Sequence, residues 1–568
     1  MGGVDLARCD DGAFAITAGE RALYEEGDLR AARRCFEAAH GRAEASGDRA
    51  ALARAALGLG GIWVQEHRPG PRQETVRARQ RRALALVGPR SPLALRLRIR
   101  MRGEDDYRAG EHAGTLRLLE EARAAGDPVA LAEALSLAHH CLLGPAHAGT
   151  RLALASELTG VAARTGRRGD LLMGLMWRTV DLFKAADPQA EPSLRELRAA
   201  LAAGDHLAVG FVARAAEVML ATRAGRFEEA EALAGACAQR GAEAGHVDAP
   251  GWYGEQLGAI RWFQGRAGEL VPSLRELAGS PTLSPVDHAV AASLAVSAAT
   301  AGDHRTAAGV LARLRGQNLP RSGSWLATLY FLAEAAYLLR DTGTAARARE
   351  LLAPYAGLPA VAGPGVTCLG SVRHSLGMAA LTTGDVDGAV AELRAAVRDN
   401  VALGHRPAAA LSRHRLAQAL ALRHGLDDEA ARRERSAAAE EARELGMMLP
   451  AGPGACRIEP HGRQWRVTLG GRRTLVADSV GMRHLAVLVA RPGREVPAAD
   501  LVEEDRAGGG ERARIAVGKA VRRALARIAE ADPVIGVELR AAVRTGARCA
   551  YLPGNDEIPP NRTGSREE

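Results

Sequence analysis

A group of cationic side chains near the C-terminal end has the spacing to meet a polyanion. Wound as a helix at about 100° per residue, segment 511–530 gathers Arg512, Lys519, Arg523 and Arg527 on one side and Val517, Val521, Ala524, Leu525 and Ile528 on the other. Arg522 lies off the centre of the basic side. Arg544 and Arg548 flank a turn expected around Gly546. A helix held in a small core by its apolar face leaves the opposite face free for a groove of duplex DNA. There guanidinium groups reach phosphates and the edges of guanine. The plainer reading is a solvated basic face in an arginine-rich chain.

Other residue types with chemical potential are less well arranged. His139, His140, Cys141 and His147 have metal-ligating types, but adjacent histidines on a helix point to different faces, and a metal needs convergent ligands. Glu66-His67 has acid–base types without H-E-x-x-H spacing. Trp63, Trp177, Trp252 and Trp262 are expected first of all to pack in the core, with a groove for an apolar ligand or peptide on the concave side of a helical array as the second reading. No Gly-x-Ser-x-Gly elbow and no phosphate-binding G-x-x-x-x-G-K-[ST] occurs, and Gly518-Lys519 lacks the upstream glycine. No catalytic residue, metal or cofactor is therefore expected, and the chain reads as a non-enzyme.

The elements that must position these residues follow from punctuation. Between about residues 12 and 446 the chain reads as helix after helix. A Gly-acidic or Gly-basic turn recurs, followed by Ala and an apolar residue four further on. Examples are Gly27-Asp28 with Ala32, Phe36 and Ala39, Gly302-Asp303 with Ala307, Leu311 and Leu314, and Gly384-Asp385 with Ala389, Leu393 and Ala396. Gly225-Arg226, Gly425 and Gly110-Glu111 begin weaker copies. Glycine ends one helix cheaply in the left-handed conformation, the following Asp caps the next, and small Ala lets the two helices touch. The copies recur at one or two multiples of about 40 residues. Segments 60–105 and 140–220 fit the pattern poorly. The segment Met447–Ala455, MMLPAGPGA, reads as a linker.

After it the period changes. Runs at 456–460, 464–469 and 473–476, split by His461-Gly462 and Gly470-Gly471, predict a small antiparallel sheet. A helix over 480–490 follows, stopped by Pro492-Gly493. Then come a second short helix from Pro497 to Leu501, a Gly508-Gly509-Gly510 loop, the 511–530 helix, a helical stretch near 534–542 and a hairpin ending at Leu552.

The Gly-Asp…Ala…Phe…Ala pattern resembles the tetratricopeptide repeat. The C-terminal segment resembles the OmpR/PhoB-like winged-helix family, including its actinobacterial antibiotic regulatory branch. Pro492-Gly493-Arg494 is similar to the joint between that family's first two helices. Val521-Arg522-Arg523-Ala524 is similar to its recognition helix, and Val543-Arg544-Thr545…Ala550-Tyr551-Leu552 to its wing. Ala550 stands where the wing has glycine, and the extra stretch before the wing is a further departure. The resemblance implies a transcription regulator, with Arg522 joining Arg512, Lys519, Arg523, Arg527, Arg544 and Arg548 as DNA-contacting residues.

Composition agrees with a helical array. The 568 residues are 47% hydrophobic but only 4% aromatic, with formal charge +8. Lys184 and Lys519 are the only lysines. The seven cysteines are scattered, and no apolar run reaches the ~20 residues of a membrane span. The expectation is a mainly α chain: a tetratricopeptide-like α-solenoid over 1–446, a linker over 447–455, a small α+β winged-helix domain over 456–553 and a polar tail over 554–568. Expected partners are duplex DNA, a second copy in a homodimer, and a protein or small-molecule ligand on the array, in the cytoplasm and away from membranes. The alternative is a protein-interaction scaffold whose winged helix does not bind DNA.

Overall fold

The computed structural model describes residues 12–280, 286–425, 428–449, 456–469, 472–501 and 510–552. From Gly12 to Leu445 the described residues form a succession of helices, most of them packed against their chain neighbours as helical hairpins. The Gly-Asp turns behave as their chemistry requires. Gly27 takes φ +65°, and Asp28 accepts from the amide of Ala31 at 2.7 Å at the start of Leu29–Ser46. Asp303 caps through Thr306, Asp385 through Gly388 and Asp428 through Ala431. Ala32, Phe36 and Ala39 are buried, as are Ala307, Leu311, Leu314, Ala389, Leu393 and Ala396. Gly58 meets the edge of Phe36, where an added Cβ would lie 2.3 Å from the ring. The poorly fitting stretches 60–105 and 140–220 are also largely helical hairpins, in which neither Gly169-Asp170 nor Gly204-Asp205 caps a helix.

One expectation fails inside the array. Residues 359–371 form a β-hairpin, β1 (Pro359–Ala362) antiparallel to β2 (Thr367–Ser371), and not helix. Pro359, Pro364, Gly363 and Gly365 oppose helix there, and Gly363 and Gly365 take positive φ. Both strands are buried along their whole length, and the turn residues Gly363 and Pro364 are half-buried. Val361 and Cys368 join the core of the N-terminal half, while Ala360, Ala362 and Leu369 join that of the C-terminal half. Buried Lys184 donates to the carbonyls of Gly323, Val361 and Gly363 at 3.2–3.3 Å.

The array curls back on itself around this hairpin. The Ala208 amide donates to the carbonyl of Gly27, and Arg30 and Arg33 donate to the carbonyls of Ala242 and Gly245. Gly110 abuts Pro320, and Gly144 abuts the carbonyl of Arg321. The expected linker starts within the array's packing: Met447 is buried beside the cluster holding Ala442 and Leu445, and the Met448 amide donates to the Gln264 carbonyl. The rest of that segment, 450–455, lies outside the described residues, as do Gly470-Gly471, Gly508-Gly509 and the tail.

The C-terminal unit has its own core. Strands β3 (Arg457–His461), β4 (Gln464–Leu469) and β5 (Arg472–Ala477) form one antiparallel sheet. Strands β6 (Glu495–Pro497), β7 (Val543–Arg544) and β8 (Arg548–Tyr551) form another, ordered β6-β8-β7. Helices Val480–Val489, Gly510–Ala531 and Pro533–Ala542 complete it. The expected second short helix is a single 3-10 turn, Ala498–Leu501, because Pro497 belongs to β6, whose Val496 pairs with Cys549. Met482, Leu485, Val521, Ile528, Leu539 and Tyr551 meet in the centre.

This unit is docked on the array. Arg472 donates twice to Asp532 at 3.1 Å and also to the carbonyl of Tyr337. Its guanidinium lies 4.5 Å from the centre of the Tyr337 ring, with Arg415 at 4.6 Å from the same ring. Val534 and Val537 of the helix Pro533–Ala542 enter the array's apolar clusters. Among the described residues no helix is long and apolar enough to cross a membrane.

Candidate functional site

Two places in the molecule can do recognition chemistry. The first is the helix Gly510–Ala531. Its apolar face is sealed: Val517, Val521, Ala524, Leu525 and Ile528 are all buried. The opposite face presents Lys519, Arg522, Arg523 and Arg527 to solvent, and none of the four makes an ion pair among the described residues. Arg512 lies on the same helix, but its side chain is outside the described residues. Arg544 is exposed on β7. Arg548 is exposed on β8 and already paired, with Glu495 at 2.9 Å. The structure therefore gathers four of the sequence-expected cations on one helix face and puts two on the neighbouring hairpin. Four unpaired cations held by a rigid helix suit a polyanion, since the side chains need break no existing pair to bind it.

The second place is a cavity of about 470 Å³ enclosed by the curled array. Trp63, Trp177, Trp252 and Trp262 all line it, with Tyr107, His140, His246 and Phe331. The proposed groove and core packing are thus both realised by the same tryptophans: Trp177 is only 1% exposed yet forms part of the wall. The rings brace one another. Trp63 and Trp177 meet edge to face at 6.1 Å, His140 sits 5.3 Å from Trp177, and His246 lies 5.8 Å from Trp63. Burial pushes His140 and His246 down to about 3, so both rings are neutral at neutral pH.

The charged groups of this cavity were not foreseen from the sequence. Glu255 accepts from the hydroxyl of Thr367 on β2 at 3.3 Å. Burial, with Asp287 adding its charge, pushes its carboxyl up to about 8. Asp287 accepts from Ser324 at 2.7 Å and from the Ala289 amide at 3.0 Å. Asp248 is paired with Arg68 at 3.3 Å. Burial lowers Lys184, behind the hairpin, to about 7. The one local signal was Trp252 and Glu255 at i, i+3, which places them on the same helix face.

The remaining candidates have structural partners. His139 is hydrogen-bonded to Asp181 at 2.7 Å, and Arg151 holds the other carboxylate oxygen at 2.6 Å. This buried set is separated from the cavity by Trp177, on which His139 stacks at 4.4 Å. His147 packs on His112. His67 bonds the Leu59 carbonyl, and Glu66 lies 3.9 Å from Arg33. No group of three or more metal-ligating side chains converges among the described residues.

No family model matches the chain, and no curated protein matches it. Among solved structures it is similar to a "Circular tandem repeat protein with novel repeat topology and enhanced subunit contact surfaces", at 16% identity over 76% of this chain and 96% of that one. The TM-score is 0.11, too low for that likeness to inform the site.

Proposed function

We propose that the protein is a transcription regulator that binds duplex DNA through its C-terminal unit, acting as a winged helix, while the helical array senses a ligand or joins a second copy. The observation that carries this reading is the segregated helix Gly510–Ala531, with a sealed apolar face and Lys519, Arg522, Arg523 and Arg527 exposed without ion pairs. The strand order β6-β8-β7 supports it: the hairpin β7–β8 lies beside the helical part, where a wing would reach adjacent backbone. One such module buries little DNA surface, so two copies on repeated half-sites account best for specificity.

The test is fluorescence anisotropy of the full chain with duplex DNA from upstream of its own gene, at two salt concentrations. The expected result is sequence-selective binding that weakens with salt. The K519A/R523A double variant should bind at least tenfold more weakly, with the salt slope reduced by about 1 per lost phosphate contact. A folded chain that binds no duplex at either salt would overturn the reading. The interaction-scaffold alternative would then stand.

A further inference from the structure

We infer that the cavity enclosed by the array is a binding site for a small organic cation with an apolar, preferably aromatic, body. A volume of about 470 Å³ falls within the range of small-molecule pockets, roughly 300–1,000 Å³. Protein interiors close such spaces unless something fills them. This one is held open by rings that brace one another, Trp63 against Trp177 and Trp252 stacked on Phe211 at 4.6 Å.

The charges in the wall select among ligands. Glu255 and Asp287 face the cavity with only hydroxyl and amide donors bonded to them. The cations nearby are already engaged: Arg68, itself in the wall, holds Asp248 there, and Lys184 donates to three backbone carbonyls. An anion entering would meet the Asp287 carboxylate and the negative faces of the rings, whereas a cation beside Glu255 favours the ionised form of its raised carboxyl. A wholly apolar ligand would strip water from the carboxylates and give nothing in return. A cation gains from both, through the carboxylates and through the ring faces. A bare metal ion is disfavoured, because no three ligating side chains converge among the described residues.

The binding step itself is independent of DNA recognition. Only its regulatory consequence rests on the proposed function. Glu255 reaches the hairpin through Thr367, so a cation on Glu255 would compete with a contact that ties the cavity to β2.

The experiment is isothermal calorimetry of the full chain, without DNA, against three probes of closely matched shape: 5-phenylpentan-1-aminium, 5-phenylpentan-1-ol and 5-phenylpentanoate. The cation should bind at least tenfold more tightly than the alcohol, and the carboxylate should not bind. Glu255→Gln should weaken the cation at least fivefold while leaving the alcohol within twofold. Should that variant fail to fold, Asp287→Asn and the wild-type charge series provide the same comparison. Equal affinity for cation and alcohol, tightest binding of the carboxylate, indifference of the cation to both substitutions, or no heat with any probe on folded protein would each overturn the inference. Cation binding with no DNA binding would leave this site standing and remove only the regulator reading.

Discussion

At the residue scale, burial decides what the cavity's ionisable groups do. Glu255 has an ordinary value of 4.5 and is pushed up to about 8, first by burial and then by Asp287. A carboxyl raised in the folded state stabilises the fold fully below its unfolded value. That stability is lost as pH rises from 4.5 through 8. Glu255→Gln removes the titration, so the variant should match the parent near pH 5 and exceed it by about 1–3 kcal/mol at pH 9. Thermal melts of both proteins at the two pH values check this, and a gain equal at both would refute the burial argument. His140 and His246 carry the opposite sign, since their values fall to about 3 and their protonation opposes folding below 6.5. Both are present in parent and variant, so their effect cancels in the comparison.

At the element scale, the turn glycines share one conformation but not one environment. Gly27 and Gly384 take φ +65° and +85°. A Cβ on Gly384 would meet nothing within 4 Å, whereas one on Gly27 would lie 2.2 Å from Nδ1 of His206. Gly384→Ala should therefore cost only the left-handed backbone strain, about 1 kcal/mol. Gly27→Ala should cost clearly more, because His206 caps the helix Leu207–Arg223 and must shift. Urea midpoints of the two variants decide it, and equal losses would mean that the contact between distant turns contributes nothing. Asp28→Ala, which removes only the cap to Ala31, should lower stability by about 1 kcal/mol. These turns were legible in the sequence because glycine's φ and aspartate's cap are local properties. The hairpin β1–β2 was not read as strand, because its surroundings are helical and its strands are short, although its Pro and Gly content opposed helix.

At the scale of the whole molecule, the C-terminal unit is fastened by Arg472, which Asp532 holds within the unit and which donates to the Tyr337 carbonyl of the array, and by one helix. Asp532 is fully buried and already bonds the amides of Val534 and Ile535. Arg472 supplies its close cation, with Arg340 at 3.9 Å. Removing one partner of such a pair leaves a buried charge and costs about 3–5 kcal/mol. Arg472→Met should therefore loosen the docking, seen as faster hydrogen exchange in Pro533–Ala542 and as a separate, earlier unfolding step for the C-terminal unit. Unchanged exchange there would show that Val534 and Val537 suffice to hold it.

By itself the sequence determined what depends on neighbours a few residues apart. It specified the helical hairpins through Gly-Asp punctuation, the change to short strands after residue 456, and the segregation of apolar and basic faces along Gly510–Ala531. Only the tertiary structure decided which distant residues share a space. Glu255 meets Thr367 across 112 positions, Lys184 meets Gly363 across 179, and Arg472 meets Tyr337 across 135. Such meetings depend on how each hairpin's small angular offset accumulates along the array, a sum over many packed interfaces that no local residue pattern encodes.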